Sequence, residues 1–247
     1  MDNPAHRWVD PEALWGELPP RPHWTNPSPV GMDRTETGTQ GGGAKRGSHW
    51  AVESHRVGRG KKNFARLGAH LIFIDESGFM LTPTVHRTWA PVGHTPLLRH
   101  RYRNDRLSFI SGLSVSPRLF HLGLYGMFFF DNIGQTEVCA FMREVLRHLR
   151  GRLIAFLDNS NTHRGKPIER LCAQFPRLRL IYFPAYAPEL NPDEGVWGLM
   201  KGHLANSCPD DLQELAADLQ QEFRSLSRSQ RKLKGCIQQS ELPLSMP

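Results

Sequence analysis

Two short apolar runs each end on an aspartate, Leu71-Ile72-Phe73-Ile74-Asp75 and Leu153-Ile154-Ala155-Phe156-Leu157-Asp158, and a glutamate follows in Asn191-Pro192-Asp193-Glu194. Three carboxylates brought to one place could hold divalent metal ions, which prefer hard oxygen donors. Unbroken apolar runs of this length predict strands buried on both faces, and open α/β sheets place their chemistry beyond the carboxyl ends of such strands. Both aspartates are expected there. Taken singly, an aspartate at a strand end is more often a turn or helix-cap residue, so the pattern around the three acids has to decide.

The elements that would position these acids begin near residue 64. Residues 70–75 predict a first strand, Arg87–Pro91 and Leu107–Val115 its hairpin neighbours, and Leu122–Phe130 a further strand. Apolar residues at 138, 141, 142, 145, 146 and 149 give Gln135–Leu149 the spacing of a helix. Strand 153–158, helix Pro167–Gln174, strand Leu178–Phe183, a proline-rich loop 184–192 and helices near 193–205 and 210–226 complete the series. Strands first and alternating strand and helix later predict an α/β mixed sheet flanked by helices. No internal repeat is present.

Composition bounds the function. A chain of 247 residues with 39% hydrophobic content can bury one substantial core, and its apolar runs are too short to span a bilayer. The net charge of +7 and pI near 9.5 favour an acidic partner such as nucleic acid. The four cysteines stand 33, 36 and 28 positions apart, which excludes CxxC zinc or redox motifs and predicts buried thiols. The amino terminus has no apolar signal core, so a cytoplasmic, bacterial setting is expected. Residues 1–60 hold nine glycines and seven prolines without helical or strand period, which predicts an irregular basic leader. Gly41-Gly42-Gly43-Ala44-Lys45 and Gly58-Arg59-Gly60-Lys61-Lys62 miss the phosphate-loop spacing.

Four segments in order carry a resemblance. Phe73-Ile74-Asp75-Glu76-Ser77-Gly78-Phe79, Thr88-Trp89-Ala90-Pro91-Val92-Gly93, Leu157-Asp158-Asn159 with His163, and Tyr186-Ala187-Pro188-Glu189-Leu190-Asn191-Pro192-Asp193-Glu194 with Trp197 resemble the signatures of DDE transposases. The likeness is to the bacterial insertion-sequence branch of the mariner superfamily and covers roughly residues 61–242, leaving 243–247 as a tail. It implies a ribonuclease-H-like catalytic domain that cuts and joins DNA with Mg²⁺ or Mn²⁺, two ions being expected. The 35 residues between Asp158 and Glu194 also fit.

On that reading Asp75, Asp158 and Glu194 are the catalytic metal ligands. Two ions roughly 3.5–4 Å apart can serve the attacking and leaving oxygens of an in-line phosphodiester displacement. Water would free a DNA end first, and the resulting 3′-hydroxyl would attack target DNA. Glu76 should project to the face opposite Asp75, and Asp193 is expected to be an amino-terminal helix charge. Asn159 and His163 are expected beside the site, orienting a carboxylate, water or DNA, although a structural hydrogen bond would explain either equally well. Ser77 is expected in a turn, and Trp197 to pack its helix on the sheet.

Arg99, Arg101, Tyr102, Arg103 and Arg106 fall within eight residues between two predicted strands. Guanidinium groups suit phosphate and Tyr102 could stack, so this loop is the expected DNA-backbone contact, with a solvated loop the plain alternative. The expected partners are transposon-end and target DNA, with a homo-oligomer as the active complex. Residues 1–60 show no helix-turn-helix pattern for reading transposon ends, so a separately encoded or truncated catalytic half is expected. The alternatives are a structure-selective nuclease, which would show no strand transfer, and a catalytically idle DNA-binding fragment regulating a full-length transposase.

Overall fold

Alternation along one strand sorts the core into two halves. In the computed structural model, which describes residues 68–242 except 83–84, 95–96, 98–104, 118–120 and 186, the first apolar run forms β1 (His70–Met80). Successive strand side chains point to opposite faces, so Leu71 and Phe73 enter one buried cluster while Ile72 and Ile74 enter the other. An antiparallel meander follows as β2 (Arg106–Val115) and β3 (Leu122–Phe129). On the other side of β1, β4 (Leu153–Leu157) and β5 (Leu178–Tyr182) pair in parallel. The five strands form one mixed sheet in the order β3-β2-β1-β4-β5.

Helices cover both faces, as the pattern predicts. α1 (Gln135–His148) and α2 (Lys166–Gln174) bury Val138, Phe141, Met142, Val145 and Leu171 against Ile72 and Ile74. The opposite face takes α3 (Asp193–His203), α4 (Leu212–Ser227) and α5 (Gln230–Gln239), whose Trp197, Phe223 and Leu233 meet Phe73 and Phe109. Asp211 caps α4 by accepting from the Glu214 N–H at 2.9 Å. Gln230, at the start of α5, reaches the edge strand: its side-chain oxygen accepts from the Leu122 N–H at 3.0 Å and its amide donates to the Leu122 carbonyl at 2.7 Å.

Three expectations need correction. β1 continues to Met80, so Asp75 lies within a strand and Ser77 is a strand residue and no turn. The reason is that β2 pairs with β1 as far as Met80, whereas β4 leaves it at Phe73. Arg87–Pro91 forms no strand; its residues are exposed, Trp89 at 99%, so no buried face exists to set a register. Finally, α5 was not expected, because a stretch dominated by Lys, Arg and Gln buries only Leu233, Cys236 and Ile237. The expected leader 1–60 and tail 243–247 lie outside the described residues.

Candidate active site

Asp75 shares the β1 face of Leu71 and Phe73, under α3, and this placement determines its partners. Trp197, one turn into α3 and 2% exposed, donates its indole N–H to Asp75 Oδ2 at 2.9 Å while its ring meets Phe109 and Phe79 edge-on. The tryptophan therefore packs the helix, as expected, and also anchors the carboxylate. Burial raises the Asp75 pKa to about 7, the Glu194 carboxylate adds to the rise, and the Trp197 bond only partly offsets them.

Glu194 reaches this place through the loop ahead of α3. The Asn191 amide donates to the Ile74 carbonyl at 3.5 Å, its side-chain oxygen accepts the Asp193 N–H at 3.2 Å, and its carbonyl accepts the Glu194 N–H at 3.1 Å. One asparagine thus ties the helix start to the residue before Asp75. Gly195 allows α3 to lie close on α5, since a Cβ there would sit 3.0 Å from the Cα of Cys236. Glu194, Gly195 and Gly198 line a cavity of about 400 Å³ with Asn191, Leu199 and Gln239.

Asp193 departs from expectation. It is completely buried and accepts a bond from the Ser111 hydroxyl, the residue that β2 places directly opposite Asp75. Burial pushes its carboxyl well above the usual range, and Asp75 and Glu194 push the same way. A helix start so enclosed cannot serve as a solvated terminal charge. Its Oδ1 has no hydrogen-bond partner among the described residues.

Asp158 follows the last residue of β4, and its side chain is 52% exposed. Its Oδ1 accepts the Ser160 N–H at 3.1 Å and lies 2.5 Å from His163 Nδ1, which also sits 3.2 Å from the Asp158 carbonyl, so that among the described residues Oδ2 is the oxygen left to a cation. The bond to His163 draws the Asp158 pKa down, against its burial. His163 itself has no exposed side-chain surface and places Nε2 2.7 Å from Glu76 Oε1. Burial alone would lower its pKa, but its bonds to Asp158 and Glu76 raise it to about 10. Glu76 does lie on the face opposite Asp75, yet it belongs to the surroundings of Asp158.

Asn159 accepts from the Arg164 guanidinium, which also stacks 4.9 Å over the Tyr182 ring. Arg106 opens β2 as an exposed residue and lies across Gly78, on the face of β1 that carries Glu76. Arg99, Arg101, Tyr102 and Arg103 fall outside the described residues. The structure therefore brings Asp75 and Glu194 together and sets Asp158 at the neighbouring strand end, turned toward His163. Among the described residues, no three His, Cys, Asp or Glu side chains are close enough to enclose one metal ion. Glu76, Ser111 and Asn191 were not assigned from the sequence; only the pairing of β1 with β2 and the position of the 161–163 turn show their roles.

A metal can be tested against this donor set. Partial burial first and the Glu194 charge second raise the pKa of Asp75, and a divalent cation relieves such repulsion. Asp158 has one oxygen engaged and the other available. The chemistry of these donors fits a hard divalent ion, with Asp75 and Glu194 as the pair already brought together and Asp158 standing apart from them.

A mixed five-stranded sheet in this order with helices on both faces makes a ribonuclease-H-like fold. The chain belongs to the DDE superfamily endonucleases, whose family model matches residues 70–216. Among solved structures it is similar to the Mos1 mariner paired-end complex with Mn, at 14% identity and a TM-score of 0.54, over 85% of this chain and 65% of that one. The Mos1 paired-end complex with Mg matches with the same values. The chain thus spans under two thirds of the length of those transposase chains, and the likeness bears on the fold. No curated protein matches in sequence.

Proposed function

We propose that this chain is the catalytic domain of an insertion-sequence DNA transposase, cleaving DNA strands and joining a freed 3′-hydroxyl to target DNA in the bacterial cytoplasm. The observation that supports this most is the pairing of partly buried Asp75 with Glu194, two residues past the point where β4 leaves β1, with Asp158 following the end of β4. Asp75, Asp158 and Glu194 would hold Mg²⁺ or Mn²⁺. When bound, such ions stabilise charge on the attacking and leaving oxygens of a phosphodiester. The chain's own residues do the positioning: Trp197 fixes Asp75, Asn191 fixes the loop that carries Glu194, and His163 fixes Asp158. The names of the similar structures describe paired-end complexes with Mn and Mg, which supports DNA and divalent metal as partners here. Arg99, Arg101, Tyr102, Arg103 and Arg106 would grip the DNA backbone, and a homo-oligomer would bring two ends together.

The test is metal-dependent cleavage and strand joining on the element's own ends. Asp75→Ala, Asp158→Ala and Glu194→Ala should each abolish both steps while circular dichroism shows a retained fold. Normal turnover by any one variant would remove that residue from the site. Cleavage without joining by the natural chain would favour a nuclease.

A further inference from the structure

Glu76 stands next to Asp75 in sequence, but strand alternation sends it to the α1–α2 face, toward the turn Asn161–His163. There its Oε1 lies 2.7 Å from His163 Nε2, and the other ring nitrogen lies 2.5 Å from Asp158 Oδ1. A single buried imidazole thus joins a carboxylate of β1 to one just past the end of β4. The turn holding the ring is itself tied down: the His163 carbonyl accepts the Tyr182 hydroxyl at 2.8 Å, and the His163 N–H donates to the Ser160 carbonyl at 3.2 Å.

We propose that Glu76 is a positioning residue that fixes the metal-facing orientation of Asp158 through His163. The inference rests on reading Asp158 as a metal ligand. Asp158 lies just past the end of its strand and is half exposed, so its side-chain direction depends on what holds Oδ1. Among the described residues two donors do so, the Ser160 N–H and the His163 ring, whose Nδ1 also lies 3.2 Å from the Asp158 carbonyl. Without Glu76, Nε2 of a fully buried ring would lack a partner, and the ring would turn to find one. Asp158 would then lose the contact that aims Oδ2. Groups behind ligating residues commonly alter metal affinity 10–100-fold when removed.

The test titrates the full chain with Mn²⁺ alone, following free Mn²⁺ by electron paramagnetic resonance. Glu76→Ala should weaken binding about 10–100-fold. Glu76→Gln keeps an acceptor oxygen at the same reach without the charge and should bind within a few-fold of the natural chain. Glu76→Asp keeps the charge but shortens the reach, and should bind clearly more weakly than Glu76→Gln. The reverse order would overturn the proposal, because charge alone would then explain the effect. Unchanged binding in folded Glu76→Ala would overturn it too; should that variant not fold, unchanged binding in Glu76→Asp would do the same. Asp158→Asn is the reference: if it binds Mn²⁺ as the natural chain does, Asp158 is not a ligand and the underlying metal assignment fails.

Discussion

Replacing Asp75 with asparagine should stabilise the metal-free protein at neutral and alkaline pH. The carboxyl ionises near pH 7 in the fold against an ordinary value of 3.8, because burial and the Glu194 charge oppose its ionisation. An acid whose pKa is raised by folding contributes stability that is fully present below its unfolded pKa and lost as pH rises through the folded one. The loss here falls between about pH 4 and pH 7, and at about 1.4 kcal/mol per pH unit it amounts to about 4 kcal/mol. Asparagine fills the same space, keeps an oxygen for the Trp197 N–H and does not ionise. Urea denaturation in EDTA, run from pH 4 to pH 8, should show the Asp75→Asn advantage growing by about that amount. Adding Mg²⁺ at pH 8 should stabilise the natural chain selectively, since binding to the folded state adds stability by mass action. A difference that stays flat across the range would show that Asp75 ionises freely in the fold and would refute the account of the site as charge-strained.

Ser111→Ala should destabilise the fold by about 1–3 kcal/mol, since it leaves the fully buried Asp193 carboxyl without its hydroxyl donor; a urea midpoint shift equivalent to less than about 0.5 kcal/mol would show that the bond contributes little. Replacing Arg99, Arg101, Arg103 and Arg106 should weaken binding to all duplexes alike, and each lost phosphate contact should flatten the log-affinity against log-salt slope by about 0.9. Unchanged slopes in fluorescence-anisotropy salt titrations would assign that loop to solvation alone.

The strands were readable because they carry dense apolar runs, and β4, β5 and α1 stand within a residue or two of where periodicity predicts them. The ordered motifs single out Asp75, Asp158 and Glu194 as candidates. Their surroundings were not readable in this way, because those depend on register. Ser111 sits opposite Asp75 only through antiparallel pairing across a long connection, and a serine in an apolar strand carries no such signal on its own. Asp193 has the residue type and position of an ordinary helix-start charge; its burial comes from how α3 meets β2. Glu76 could be sent to the far face by alternation, but its partner there required the position of the 161–163 turn.

Gln230 has a consequence for how copies of this protein can meet. Among the described residues β3 is an edge strand, and an edge strand offers unpaired backbone groups to any passing chain. A glutamine side chain presents the same donor and acceptor as a peptide unit, and at Leu122 it occupies both backbone positions. An incoming sixth strand would have to displace two bonds there, at a cost of roughly 1–3 kcal/mol, before forming any of its own. The sheet thus carries an imitation of its next neighbour at that end, which discourages growth into aggregates by strand addition from that point.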